Sequence, residues 1–524
     1  MNLAAPPSPS ALGRRPAFAR LPLSAPGRAA VAAALALGAL LTPVASSERP
    51  NVLLIVSDDL RPQLGCYGDP VVKTPHLDRF AESAMRFDRA YVQMAICSPS
   101  RNSFLSGLRP ETTGLRGFGT TLREAVPEVT TLPQHFKKEG WHSAAFGKVF
   151  HVYAETGLGS EDDPESWSQP LQLPSNPVWG PGQEAIRATQ IEADRAAGVV
   201  YGHSHDWPRG EAWDDPDIAD EALRDGETAL RAAEFLKARA ARPDEPFFLA
   251  VGFYQPHLPF VAPRRYFDLY DPESLELPER DLPPDGAPPY ALNIGMVKNY
   301  LNFPPPEEQS EAFKREYLRA YLANISYLDA CAGRVLKALE RNGLAEDTIV
   351  IFFGDHGYLM GEFGSWGHKH CNYEMATRAP LLVRVPGMAA PGAASSALVE
   401  FVDFYPTLAE LAGLPVPDHV EGDSFAPLLD DPDLPWKGAA FSEMLRGGRF
   451  LGRSLRTDSH RYVEWLGPQG KNVIARELYD LTRESLERVN LADERAQADL
   501  VGELSARLAA GWRHERPPGR AGTE

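Results

Sequence analysis

Four apolar runs in this chain lead straight into ionisable residues. Asn51–Val56 is followed by Ser57-Asp58-Asp59, and Ser143–Gly147 by Lys148-Val149-Phe150-His151. Pro246–Gly252 precedes Gln255-Pro256-His257, and Thr348–Phe353 precedes Gly354-Asp355-His356-Gly357. Aspartates in such places often cap a helix or sit in a solvated turn. If the two carboxylate clusters meet, however, they repel one another unless a cation lies between them. Oxygen-rich ligands suit Ca²⁺ or Mg²⁺ better than zinc, and the imidazole of His356 is an unusual companion for a hard cation. A fifth segment reads Cys97-Ser98-Pro99-Ser100-Arg101, continuing to Ser106-Gly107. Proline suits the first turn of a helix, which puts Cys97 at or just before a helix N-terminus, where anions are stabilised. A buried structural cysteine is the alternative reading of the same residues.

Apolar runs alternating with helical patterns predict an α/β fold with a central, largely parallel sheet. In such a sheet the carboxyl ends of the strands share one edge, where ligands bind, so the four clusters can converge there. Leu77, Phe80, Ala81 and Ala84 recur at helical spacing. A long helix is predicted over Phe313–Asn342, stopped by Asn342-Gly343. Residues 155–220, rich in Pro, Gly, Asp and Trp, predict an irregular insertion that is either a functional loop or a surface excursion with core-plugging tryptophans. After Pro435 come short strands (Tyr462–Leu466, Glu477–Tyr479) and a polar helix near Ala496–Ala510. The division expected is a leader over 1–46, a catalytic domain over 47–436 and a smaller α+β subdomain over 437–524.

The leader carries Arg14, Arg15, Arg20 and Arg28, then the apolar run Ala29–Leu41 and a small-residue cleavage site ending at Ser46. The run falls short of the ~20 residues that span a bilayer. Export to the periplasm or the exterior is therefore expected, with no membrane attachment after cleavage; an uncleaved leader that anchors the chain is the alternative. Removing those four arginines from a chain of net charge −18 leaves −22. So acidic a body excludes non-specific nucleic-acid binding and requires a local cationic pocket for any polyanion. Four cysteines (Cys66, Cys97, Cys331, Cys371) are too few for a disulfide scaffold.

The Cys97-x-Pro99-Ser100-Arg101 segment with Gly107 resembles the signature of type I sulfatases, whose cysteine is oxidised to formylglycine. The stretches NVLLIVSDDLRPQLGCYGD, GKVFH, FFLAVGFYQPHLPF, DDPESW, YLDACAGRVL and GDHG are similar to the iduronate-2-sulfatase branch, and ELYDLTRESLERVNLA to sulfatases generally. The resemblance runs from Arg49 to about Asp493. It implies an alkaline-phosphatase-like sandwich with a smaller C-terminal subdomain. It implies Ca²⁺, in preference to Mg²⁺, on Asp58, Asp59, Asp355, His356 and the modified Cys97. Arg101 and Lys148 would hold the formylglycine, His151 would assist it, and His257 and Lys369 would grip the sulfate, with His257 as general acid. A formylglycine-generating maturation enzyme and a sulfated saccharide are the implied partners. Trp366–Cys371 is one residue longer than the family pattern, and Tyr358, Phe363 and His370 differ from an iduronate-specific enzyme. The other functions carried forward are a different glycan sulfatase, a phosphate or phosphonate ester hydrolase on the same scaffold, and an unmatured glycan-binding protein.

Overall fold

The computed structural model describes residues 49–152, 160–199, 209–278, 282–296, 300–304, 308–468, 470 and 472–519. The predicted leader and parts of the 155–220 insertion lie outside the described residues.

Seven strands build the central sheet: β1 (Asn51–Ser57), β2 (Met85–Tyr91), β3 (His142–Gly147), β4 (Phe247–Phe253), β5 (Thr348–Gly354), β6 (Arg378–Arg384) and β7 (Ala394–Glu400). Their order is β7-β2-β6-β5-β1-β4-β3. The block β5-β1-β4-β3 is parallel, β6 runs antiparallel to both its neighbours, and β7 is parallel to β2. Only β6 is reversed. All four predicted strands therefore point their carboxyl ends the same way.

The apolar run of β1 is buried on both faces, and alternate residues enter separate cores. Val52, Leu54 and Val56 join one, and Leu53 and Ile55 the other. Helices α1 (Pro75–Ala81), α5 (Arg224–Arg239) and α6 (Glu311–Arg341) cover the second face. Helices α2 (Cys97–Ser106), α3 (Leu132–Lys138) and α7 (Phe404–Leu411) cover the first. Ser310 caps α6 by accepting the Phe313 N–H, and the helix ends at Asn342 as expected.

Beyond Pro435 an antiparallel sheet of β8 (Ala440–Arg446), β9 (Phe450–Arg456), β10 (His460–Leu466) and β11 (Val473–Asp480) carries α8 (Ala498–Ala510) on one face. Its other face adds Met444, Val463 and Trp465 to the main core. Within the insertion, Trp167 and Trp179 are buried core plugs. The insertion is less irregular than predicted, because it contains α4 (Pro181–Ala196), a helix without a buried residue. All four cysteines are free. Among the described residues no helix is long and apolar enough to cross a membrane.

Candidate active site

Backbone hydrogen bonds carry the strand register past the strand ends. The Asp58 N–H donates to Phe253 O (3.2 Å), the Asp355 N–H to Ser57 O (2.8 Å) and the Lys148 N–H to Gly252 O (2.8 Å). Gly252 is required here, since a Cβ would sit 1.9 Å from the Lys148 carbonyl oxygen. Asp59 turns away with φ +62°, a left-handed conformation that Asp adopts more readily than most residues and that collects at functional sites.

Cys97 opens α2, whose residues are all buried. The helix stops at Gly107 (φ +71°), where a Cβ would lie 2.9 Å from Val420 Cγ1. The Cys97 thiol donates to Asp58 Oδ1 (3.2 Å), and its Sγ lies 3.4 Å from His356 Nε2. One potential ligand atom from each of Asp58, Asp59, Cys97 and His356 falls within 4.8 Å of the others. Asp355 stands beside this foursome. Its Oδ1 accepts the Asp59 N–H (3.1 Å) and lies 3.5 Å from His356 Nε2, while Oδ2 accepts from Arg101 Nε (2.9 Å).

Three cations face the three carboxylates: Lys148 pairs with Asp58, Lys369 with Asp59 and Arg101 with Asp355. Lys369 Nζ also donates to Cys97 Sγ (3.2 Å), so the longer Trp366–Cys371 segment still delivers its lysine to the centre. Even so, burial pushes the Asp59 carboxyl up to about 6, with Lys369 opposing and Asp58 adding to the rise. Burial and Asp58 push Asp355 up to about 8 against Arg101. At Asp58 burial is outweighed by Lys148, His257 and Arg101, which hold it well below the usual range. Two carboxyls that resist ionisation despite paired cations mark a place where more positive charge fits.

The donor set also suits a metal. His356 Nδ1 donates to the Gly357 carbonyl (2.9 Å), which fixes the tautomer and turns the Nε2 lone pair toward Cys97 and the carboxylates. Burial and Lys369 keep this imidazole neutral. Burial and the Asp58 charge push the Cys97 thiol far up, so it stays protonated and is a poor nucleophile as it stands.

The remaining predicted residues ring this centre. His257 has a side chain 37% exposed, with Nε2 3.8 Å from Asp59 Oδ2 and Nδ1 bonded to the Leu258 carbonyl. Although the ring keeps some exposure, the loss of surrounding water within the site lowers its pKa, opposed by Asp58 and assisted by Lys369 and Lys148. His151 is buried, its ring 4.7 Å from that of Phe118, and burial and Lys148 lower its pKa as well.

Several positioning residues escaped the sequence reading. The Asp225 carboxylate accepts the Tyr254 and Gln255 N–H groups (3.0 and 2.7 Å), fixing the turn that presents His257. Glu161 accepts from Ser98 Oγ and donates its own N–H to the His151 carbonyl (2.9 Å). Arg446 donates to the His370 carbonyl (3.2 Å) and so braces the Lys369 loop from the C-terminal sheet. Each looks like an ordinary surface charge in the sequence. The DDPESW stretch packs inward: Asp162 accepts from Trp167 Nε1 (3.0 Å), and Trp167 lies against Phe150.

The chain matches the sulfatase family over residues 50–414, and the N-sulphoglucosamine sulphohydrolase C-terminal family over 361–513. It is 34% identical to iduronate 2-sulfatase of Mus musculus, over 87% of this chain and 93% of that one. It is also 34% identical to iduronate 2-sulfatase of Homo sapiens, over 89% and 95%. Its fold is similar to a phosphonate monoester hydrolase from Silicibacter pomeroyi (TM-score 0.69, 21% identity, covering 90% of this chain and 96% of that one). A structure in complex with its substrate D-glucosamine-2-N,6-O-disulfate is similar too (TM-score 0.71, 22% identity, 90% and 100%).

Proposed function

The chain belongs to the sulfatase family, in its iduronate 2-sulfatase-like branch, and from that premise we propose that it works through a formylglycine made from Cys97 and a Ca²⁺ ion held beside it. As a sulfatase it hydrolyses sulfate esters of sugars. The observation that carries the proposal is the position of Cys97 Sγ, within one cluster of metal-ligating atoms and in reach of Lys369, on a thiol that burial keeps protonated.

Asp58, Asp59 and His356 would hold the ion, with Asp355 completing the set, and three carboxylates favour Ca²⁺ over zinc. The ion supplies positive charge that acidifies an attacking hydroxyl, and the hydrated aldehyde supplies that hydroxyl together with a second one for releasing sulfate. The chain's own residues do the rest. Lys148 and Lys369 are flexible point charges that can swing from their aspartates to sulfate oxygens. Arg101, bonded to Asp355 and to the Val149 carbonyl (3.0 Å), keeps its fork in place and holds the residue at position 97. His257 Nε2 protonates the departing sugar oxygen. An anionic ester beside this imidazole offsets the burial that keeps it neutral in the free protein. His151 takes the proton of the remaining hydroxyl as sulfate leaves and the aldehyde re-forms. Cys97 is only 1% exposed, so the maturation enzyme must reach it before the core closes.

The preferred substrate is proposed to be a sulfated uronic acid at a non-reducing end, released in an exported compartment. Comparative rates of sulfate release from uronate 2-sulfates and hexosamine 6-sulfates, with a phosphate monoester as third substrate, test this. Uronate sulfates should be fastest. A faster hexosamine sulfate would reassign the sugar, and a faster phosphate ester would reassign the reaction.

A further inference from the structure

One half-buried cation beside the catalytic centre has no counter-charge. The buried arginines Arg61, Arg101, Arg109 and Arg461 each meet a carboxylate oxygen at 2.7 to 2.9 Å. Arg446, the last residue of β8, meets none among the described residues. Its Nε donates to the Tyr290 carbonyl (2.9 Å), Nη1 to the His370 carbonyl (3.2 Å) and Nη2 to Asn293 Oδ1, and all three acceptors are neutral. Burial lowers the pKa of this guanidinium, and the group that opposes the shift is the Cys371 thiol, itself kept protonated by burial. The surroundings are cationic instead. Burial, with Arg446 and Lys369 adding to it, brings His368 down to about 4 and His370 to about 3.

A charge drawn out of water without a partner is costly, so its persistence here calls for an anion that arrives from outside. Arg446 keeps partial exposure, and its three bonds use three of the five guanidinium N–H groups. Two N–H groups remain to donate. The position names the visitor. Arg446 lies against the segment that carries Lys369, and Lys369 Nζ reaches Cys97 Sγ (3.2 Å), where the proposed reaction places the sulfate. We propose that Arg446 receives a second anionic group of the substrate, one that is not cleaved, and in a sulfated uronic acid that group is the carboxylate. This rests on the sulfatase reading and assigns the residue that selects the sugar. A neutral sugar in the same place would displace water from the guanidinium and leave it unpaired, so Arg446 also rejects substrates without the second charge.

Sulfate release from methyl iduronoside 2-sulfate and from its carboxyl-reduced counterpart, methyl idoside 2-sulfate, tests the proposal in the matured full-length enzyme. The wild type should prefer the acid by about 10- to 100-fold in kcat/KM, the scale of hydrogen bonds to a charged group. Arg446→Gln should erase that preference. Because Arg446 also braces the Lys369 loop, a second variant keeps the brace: Asn293→Asp sets a carboxylate on Nη2 and supplies the missing counter-charge from within. It should lower kcat/KM on the acid selectively, through KM. Glucosamine 6-sulfate and glucosamine 2-N,6-O-disulfate form a parallel pair. A gain from the second sulfate that Asn293→Asp abolishes, with hexosamine sulfates the faster substrates, would reassign the sugar and keep the anion site. A wild type indifferent to the second charge in both pairs would overturn the proposal. So would equal losses on charged and neutral members in both variants, which would leave Arg446 a brace alone.

Discussion

At the seam between the two sheets, Glu374 is gripped by Arg461 Nη2 (2.7 Å), Arg456 Nε (3.1 Å) and the Tyr91 hydroxyl (2.8 Å). Arg461 completes its fork on Glu487, Ser454 and Thr377. At the carboxyl edge of the central sheet, buried carboxylates also face buried cations, but two of the three cations are lysines. An arginine fork locks its partners in one geometry, whereas an ammonium on a flexible stem can change partner. Burial raises the carboxyls in both regions. At the seam two arginines bring Glu374 down to about 2, while Glu487 is pushed up to about 7. At the edge Lys148, His257 and Arg101 hold Asp58 low, while Asp355 rests near 8 and Asp59 near 6. Buried charge at the seam is closed and structural. At the sheet edge it is open to a cation and an anionic substrate.

The largest effect expected from this contrast is on metal removal. Exhaustive chelation should abolish turnover, and added Ca²⁺ should restore it, with the seam and overall fold intact by circular dichroism. Full activity in protein shown metal-free by elemental analysis would break the distinction at its root.

His257→Ala comes next. Positioned proton transfer contributes about 10²–10⁴-fold, and it matters most for a poor leaving group. Sugar-sulfate hydrolysis should fall by that range, and nitrophenyl-sulfate hydrolysis far less. Equal losses on both would leave His257 a sulfate-binding residue only, and a selective loss in His151→Ala would move the acid role there.

Arg461→Leu probes the closed region. Stranding Glu374 and Glu487 should cost about 3–5 kcal/mol of stability in denaturant unfolding. The fraction that remains folded should keep its kcat, and a specific loss of kcat would show that the seam takes part in the chemistry.

A smaller effect is expected in acid. The folded pKa of Glu374, about 2, lies below its ordinary 4.5. Its contribution is therefore fully present above about pH 4.5 and is lost as pH falls toward 2, amounting to about 3 kcal/mol at most. Glu374→Gln should flatten that limb of the stability–pH curve, and an unchanged limb would assign the acid sensitivity to other carboxylates.

The sequence showed the open region better than the closed one, for physical reasons. β1, β3, β4 and β5 are buried on both faces and read as apolar runs, so the Asp, Lys and His residues beyond them stood out. β2, β6 and β7 were not read. Met85–Tyr91 mixes buried and half-buried residues, Arg378–Arg384 is interrupted by Pro380, and Ala394–Glu400 opens on small residues. α4 contains no buried residue, its contacts running through groups such as Arg187 over the Trp179 ring (4.4 Å), so no core-facing apolar run announces it. Lys369 follows no apolar run and came from family resemblance alone. Glu374, Arg456 and Arg461 look like surface charges, since a sequence does not reveal that two distant segments will bury them together.

The central claim rests on what occupies position 97. Peptide mass spectrometry on active enzyme, made alongside a formylglycine-generating enzyme and probed with an aldehyde-reactive reagent, tests it most directly. The expected result is an aldehyde at residue 97, in a fraction that rises in step with specific activity, and no turnover in Cys97→Ala. Full activity in protein carrying only the thiol would contradict it.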